Sequence, residues 1–227
     1  MTGTNAPRIG RREEWLRERL ALLHEEKELT RRRDALSAAR RALPWVPVER
    51  EYTFVTPDGT RTLDGLFEGR TQLIVNHFMF GPDWSEGCPS CSFWADSFDG
   101  IGVHLTARDT SFVAVSRAPL SSLLAYRARM GWTFPWVSSL NTTFNEDFSV
   151  SNAQTYNYSP VKNPMEESPG LSTFIRRDGQ VFHTYSCYAR GLDPFNTAYQ
   201  LLDVTPLGRA EDDLPWPMAW LRRHDDY

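Results

Sequence analysis

The chain has 227 residues, of which 41% are hydrophobic and 13% aromatic, so it is long enough to bury a sizeable core. It carries 25 Lys and Arg against 29 Asp and Glu, and this formal net charge of −4 argues against nucleic acid or an anionic membrane as a partner. Because no apolar N-terminal run resembles a secretion signal, and no stretch of about 18 apolar residues is present, we expect a cytoplasmic protein.

The first predicted element is a long helix. Residues 11–43 contain neither Gly nor Pro, are rich in Leu, Arg, Glu and Ala, and end at Pro44. An apolar residue recurs every seven positions and draws one stripe along the helix: Trp15, Leu22, Leu29, Leu36 and Leu43. Residues 1–41 carry eleven basic against seven acidic side chains. We predict a helical arm, residues 1–47, that either lies on its own domain or pairs with a second copy as a homodimer.

From residue 48 the pattern changes to strands that alternate with helices. Two near-continuous apolar runs, at 73–80 and 110–116, are typical of strands buried on both faces and therefore central in a sheet. The stretch between them, 92–108, is amphipathic and predicts a helix. A second helix is predicted from Ala118 to Met130, where the following glycine ends it.

The last third of the chain completes the predicted sheet. Residues 134–165 show little periodicity and are predicted to be mostly loop, whereas residues 171–186 predict a hairpin that turns at Asp178-Gly179. A last helix is predicted at 192–203, followed by a Pro- and Trp-rich tail. Strand–helix–strand crossovers imply parallel pairing. We therefore predict an α/β thioredoxin-like fold over residues 48–227: a central mixed sheet flanked by helices, with the arm as an N-terminal helical extension.

The cysteines carry the main functional signal. Cys88 and Cys91 flank Pro89-Ser90 between the first central strand and the next helix, and proline suits a first helical turn. Unpaired N–H groups and the positive end of the helix dipole favour a thiolate there, which lowers its pKa. Because Cys88 lies nearer the loop, we predict that it attacks and that Cys91 resolves the mixed disulfide.

The predicted activity is thiol–disulfide oxidoreduction of a protein or small-molecule disulfide, with an external thiol reductant and without a cofactor or metal. Arg117 follows the strand at 110–116, at the sheet edge where open α/β folds bind ligands. We predict that it stabilises the Cys88 thiolate or binds an acidic group, with a surface salt bridge as the alternative. The predicted substrate-binding residues surround the motif: Trp84, Ser85, Pro89 and Ser90.

Several long segments resemble a known family. LIVNHFMFGPDWSEGCPSCSFWADSFDG, FVAVSRAP, GWTFPWVSS and VFHTYSCYARGLD are very similar to a bacterial thioredoxin-like family known as domain of unknown function 899. The resemblance implies a thioredoxin-like fold with a CPSC motif, and no particular substrate. The order of segments is more distantly similar to peroxiredoxins and thioredoxin-like reductases. Two departures are Leu171, where peroxiredoxins have an Arg, and Ser172, where thioredoxins have a Pro.

Two other functions remain open from the sequence. A thiol peroxidase would use Cys88 against a peroxide. A non-catalytic metal-binding or interaction module would use the two cysteines as ligands, with His183 as the histidine best suited to join them. The third cysteine, Cys187, is interpreted as a buried thiol.

Overall fold

A computed structural model describes residues 8–227, which divide into two compact units, one ending at Pro44 and one running from Trp45 to Tyr227. The first unit contains the predicted long helix, α1 (Arg12–Arg41). No described residue of α1 is buried, and the residues of the heptad stripe, with Leu43 just beyond the helix, are between 45% and 58% exposed. Pairing of this stripe with a second copy of the chain stays a prediction.

The second unit is built on an eight-stranded sheet with the order β1-β10-β9-β4-β5-β6-β2-β3. Its strands are β1 (Val46–Pro47), β2 (Thr53–Thr56), β3 (Gly59–Thr62), β4 (Gln72–His77), β5 (Thr110–Ser116), β6 (Trp136–Ser138), β9 (Gly170–Arg177) and β10 (Gln180–Tyr188). Two short strands, β7 (Thr155–Tyr156) and β8 (Ser159–Pro160), pair separately.

The pairing of the central strands is mixed. Strand β5 runs parallel to both β4 and β6, whereas β9 lies antiparallel to β4 and to its hairpin partner β10. The sheet is flanked by helices α2 (Pro89–Ala95), α3 (Gly102–Thr106), α4 (Leu120–Arg129), α5 (Phe144–Asp147) and α6 (Thr197–Leu202). This confirms the predicted thioredoxin-like fold. Among residues 8–227, no helix has both the length and the apolar character needed to cross a bilayer.

Alternation along β4 assigns its side chains to two cores. Leu73 and Val75 pack with Phe54 and other apolar residues on one face, whereas Ile74 packs against the opposite face. That opposite face is dominated by aromatic rings and also includes Cys91 of α2. The burial of α2 against this aromatic cluster fixes the position of the dithiol relative to the end of β4.

Three sequence predictions were wrong in detail. The stretch 92–108 is not one helix, because α2 ends at Ala95 and the chain turns through Gly100, whose φ is +77°, before α3 begins. The predicted loop 134–165 contains β6, which pairs with β5 and β2. The predicted helix at 192–203 is a 3-10 segment, Ala189–Phe195, followed by α6, since Pro194 lacks the N–H that a continuous helix needs.

Candidate active site

The two cysteines of the CPSC motif lie at the start of α2. Cys88 is the residue that precedes the helix, with φ −58° and ψ 130°, and Pro89 occupies the first turn. The main chain of Met79, just beyond β4, contacts both cysteines: its carbonyl accepts from the Cys88 N–H at 3.1 Å, and its N–H donates to the Cys91 Sγ at 3.4 Å. Cys88 is half-buried, Cys91 is buried, and neither forms a disulfide.

The pKa values of the two thiols move in opposite directions. The Cys91 thiol donates to the Cys88 sulfur and, with the N–H groups of Cys91 and Ser90 and the Ser90 hydroxyl, lowers the pKa of Cys88 from 9.0 to about 6, although burial opposes this. The same interaction with Cys88, together with burial and the nearby negative charge, raises the pKa of Cys91 well above 9.0. These shifts favour, at neutral pH, a Cys88 thiolate beside a protonated Cys91 thiol.

Arg117 pairs with a buried carboxylate. Its Nε donates to Glu167 Oε1 at 2.6 Å, and the Ser151 hydroxyl donates to the other carboxylate oxygen at 2.8 Å. Burial raises the pKa of Glu167, against the hydrogen bonds from Arg117 and Ser151, and the charge of Glu167 contributes to the raised pKa of Cys91. Glu167 therefore interacts electrostatically with both Arg117 and Cys91. A direct role of Arg117 toward the Cys88 thiolate stays a prediction.

Replacing Glu167 by Gln is expected to lower the free energy of unfolding by about 2 kcal/mol, because the mostly buried Arg117 guanidinium would lose its close carboxylate. Glu166 offers a matched control, since it also approaches Arg117, at 3.9 Å, but its side chain is about half exposed. Glu166→Gln should change stability by less than about 0.5 kcal/mol. Chemical denaturation measures both, and equal effects of the two substitutions would contradict the buried ion pair.

The loop before the dithiol brings the predicted residues Trp84 and Ser85 near the motif. The Trp84 Nε1 donates to Glu166 Oε2 at 3.0 Å, and the ring packs against the aromatic cluster that Cys88 also contacts. Ser85 is exposed. Contact of Trp84 and Ser85 with a substrate stays a prediction, as it does for Pro89 and Ser90.

The C-terminal segment is hydrogen-bonded to the loop that precedes the dithiol. The sequence does not predict this contact. Arg223 donates from Nη2 to the Gly87 carbonyl at 2.9 Å and from Nε to the Tyr126 hydroxyl at 2.9 Å. The same hydroxyl bonds Ser92 of α2 at 2.9 Å. Because Arg223 and Gly87 are separated by 136 residues, no local pattern marks the contact.

Gly87 is closely packed and should tolerate no side chain. A Cβ at this position would lie 2.8 Å from the Phe78 ring and 2.9 Å from the Tyr126 ring. Gly87→Ala is expected to destabilise the protein by about 1–3 kcal/mol through overpacking, and to displace the residue that precedes Cys88. Gly102→Ala is the control, because its Cβ would meet nothing within 4 Å in α3. A thermal melt in which both variants match the wild type would contradict this packing.

The buried His77 and the half-buried His183 belong to a separate polar chain. His77 Nε2 lies 2.8 Å from the Ser172 hydroxyl, which bonds Ser186 at 2.7 Å, and Ser186 lies 2.7 Å from His183 Nε2. Burial lowers the pKa of His77 to about 3 and also lowers that of His183, so both rings are neutral at pH 7. The His77 ring packs on Phe144, on the sheet face opposite α2.

The metal-binding alternative lacks an assembled ligand set in the described part of the chain. Within residues 8–227 no three His, Cys, Asp or Glu side chains are grouped so that they could hold a metal ion. Cys187 is buried in a small cluster with Leu171 and Leu192. The structure therefore unites Cys88 with Cys91, but does not group a histidine with them as a ligand set.

The family described as "Bacterial protein of unknown function (DUF899)" matches residues 4–227. The chain belongs to this family. A comparison of this DUF899 protein with curated proteins finds no match.

Solved structures similar to the DUF899 chain share little sequence with it. The peroxidoxin BcpB of Mycobacterium tuberculosis is 13% identical, with a TM-score of 0.46 over 71% of this chain and 97% of its own. A cysteine-to-serine mutant of Xylella fastidiosa PrxQ is 14% identical, with a TM-score of 0.43 over 66% and 89%. BsSco, of the Sco family of cytochrome c oxidase assembly proteins, is 15% identical, with a TM-score of 0.40 over 64% and 86%.

Proposed function

We propose that this protein is a thiol–disulfide oxidoreductase whose redox-active group is the Cys88–Cys91 dithiol. One arrangement carries the proposal: a half-buried Cys88 directly precedes α2, and Cys91 lies buried in its first turn. This placement lowers the pKa of Cys88 to about 6 and raises that of Cys91 well above 9.0. A thiolate that exists at neutral pH next to a protonated thiol supplies both the nucleophile and the group that later resolves the adduct.

The reaction follows from these protonation states. The Cys88 thiolate attacks one sulfur of a substrate disulfide, whose S–S bond breaks, and the first substrate thiolate leaves and takes a proton from water. Cys91 then loses its proton to solvent and attacks the Cys88 sulfur, which expels the second substrate thiolate. The substrate has gained two electrons and the protein holds a Cys88–Cys91 disulfide. An external thiol reductant returns two electrons through the reverse exchange.

Reduction of insulin disulfides with dithiothreitol as the electron donor tests the proposal. Cys88→Ser is expected to lower the rate above the uncatalysed background by more than about 100-fold, because no other group supplies the nucleophile. Cys187→Ser is the matched control and should keep the wild-type rate, since Cys187 lies in a different buried cluster. Equal activity of the wild type and Cys88→Ser would disprove the proposal.

The same proteins distinguish the two other functions. A thiol peroxidase would consume hydrogen peroxide faster than it reduces insulin, with a sulfenic acid on Cys88 as its intermediate. A metal-binding module would be isolated with stoichiometric zinc or copper that blocks alkylation of Cys88 until a chelator is added. Either result would replace the oxidoreductase proposal.

A further inference from the structure

A large cavity adjoins the dithiol on the Cys91 side. Its volume is about 990 Å³, and it is lined by Ser90 and Cys91 of α2, by Asn76 of β4 and by the C-terminal segment from Leu207 to Met218. This volume lies at the upper end of the range usual for sites that bind small organic molecules. Cys88 is not among its lining residues, so the cavity and the attacking sulfur lie on different sides of the motif.

The cavity contains a buried polar group without a protein partner. Asn76 is only 7% exposed, and its side chain, which lines the cavity, has no hydrogen-bond partner among residues 8–227. It shares a face of β4 with Ile74, which packs beside Trp94 of α2. An amide that reaches the open space of a cavity bonds water when no ligand is present. A ligand with a hydrogen-bonding group can replace that water at Asn76.

Most charged side chains around the cavity already have hydrogen-bond or ion-pair partners within the chain, and Asp212, which also lines it, is exposed to solvent. Arg209 bonds Asp203 at 2.7 Å and Asp193 at 3.2 Å, and its guanidinium stacks 3.8 Å from the Tyr199 ring. Glu211 accepts from the Tyr199 hydroxyl at 2.7 Å and from the Trp220 Nε1 at 2.7 Å. An ionic ligand would have to displace these contacts.

The remaining wall is largely apolar. Its apolar side chains come from α2, from the segment after β10 and from the C-terminal segment: Trp94, Leu192, Leu207, Leu214, Pro215 and Trp216. Such a wall favours an uncharged, predominantly hydrocarbon ligand, and Asn76 supplies the polar contact that fixes its orientation.

We propose that this cavity is a binding site for a neutral, mostly apolar organic molecule that places one hydrogen-bonding group on Asn76, next to Cys91. The site does not depend on the redox proposal, because Cys88 does not line it. A ligand there lies against Cys91, so its affinity is expected to change when Cys91 is oxidised to a disulfide.

N-phenyl-1-naphthylamine is a suitable probe, since it is neutral, fluoresces in apolar sites and carries one N–H. We expect it to bind the full-length protein with a Kd on the order of 10–100 µM. Its N-methyl analogue lacks the N–H and should bind about three- to tenfold more weakly. In Asn76→Leu the two probes should bind equally, whereas the control Ile74→Leu, on the same face of β4, should keep the difference.

A second pair of variants tests where the probe binds even if the Asn76→Leu protein does not fold. Trp216 is 63% exposed and lines the cavity, so Trp216→Ala should weaken binding at least about fivefold without loss of fold. Trp45→Ala, at an exposed tryptophan outside the cavity, should not change it. Cys88→Ser should also bind normally, which separates this result from the fate of the redox proposal. Absence of binding to the wild type, or binding unchanged in both Asn76→Leu and Trp216→Ala, would overturn the inference.

Discussion

The rate of Cys88 alkylation by iodoacetamide is expected to rise with pH around a midpoint of about 6 and to be nearly constant above pH 7. Only the thiolate reacts, so the rate follows its fraction. With a pKa of about 6, roughly 90% of Cys88 is ionised at pH 7, against about 1% for a thiol at 9.0. At pH 5 the rate should fall to about a tenth of its plateau. Peptide mapping by mass spectrometry assigns the modification to Cys88.

The unfolded protein is the internal control for this titration. In concentrated urea the N–H groups of α2 and the Cys91 thiol no longer surround the sulfur, so the midpoint should return to about 9. Cys91 should resist alkylation in the folded protein over the same range, because its hydrogen bond to Cys88, its burial and the Cys88 charge raise its pKa. A folded-state midpoint above 8 would remove the physical basis for Cys88 as a nucleophile.

The lowered pKa also makes stability depend on pH. Because Cys88 ionises more readily in the folded than in the unfolded state, its contribution is complete above the unfolded value near 9 and disappears as pH falls through about 6. One pH unit above the folded pKa this amounts to about 1.4 kcal/mol. Cys91 acts in the opposite sense, but only above pH 9, where the unfolded thiol would ionise and the folded one does not.

The central elements of the fold were predictable because their sequence pattern reflects local burial. Strand β5 is buried at all seven positions and reads as an uninterrupted apolar and small-residue run from Thr110 to Ser116. The hairpin of β9 and β10 is marked by Asp178-Gly179, both of which have positive φ. Strand β6 has only three residues, and its place in the sheet depends on β5 and β2, so no period reveals it.

Some features of the candidate site are likewise predictable from the local sequence, whereas others depend on residues far apart in the chain. The position of Cys88 before α2 follows from local information, namely an apolar strand, a loop and a proline in the first turn. The partner of Arg117 does not, because Glu167 lies 50 residues later in an irregular segment. The place of Asn76 in the cavity wall depends on which face of the sheet α2 covers and on the C-terminal segment that completes the cavity. The sequence around β4 indicates neither.

Cys91→Ser is expected to stop the reaction at the mixed disulfide. Cys88 still attacks a substrate disulfide, but no second sulfur remains to expel the bound thiol. After incubation with oxidised glutathione, most of the protein should carry one glutathione on Cys88, and turnover should fall by more than about 100-fold. Intact-mass measurement and peptide mapping report the adduct, and dithiothreitol should release it. Turnover at the wild-type rate would show that Cys91 does not resolve, and an adduct on Cys187 would show that Cys88 is not the attacking group.

Cys91→Ala separates the two roles assigned to Cys91. Both substitutions remove the resolving sulfur, so both variants should accumulate the same adduct. Only serine keeps a hydroxyl that can donate to Cys88, and this type of side-chain hydrogen bond is the largest cause of the lowered Cys88 pKa. The alanine variant should therefore have a higher Cys88 alkylation midpoint than the serine variant and form its adduct more slowly at pH 6. Because resolution is absent from both, that difference measures only how strongly the neighbouring donor stabilises the thiolate.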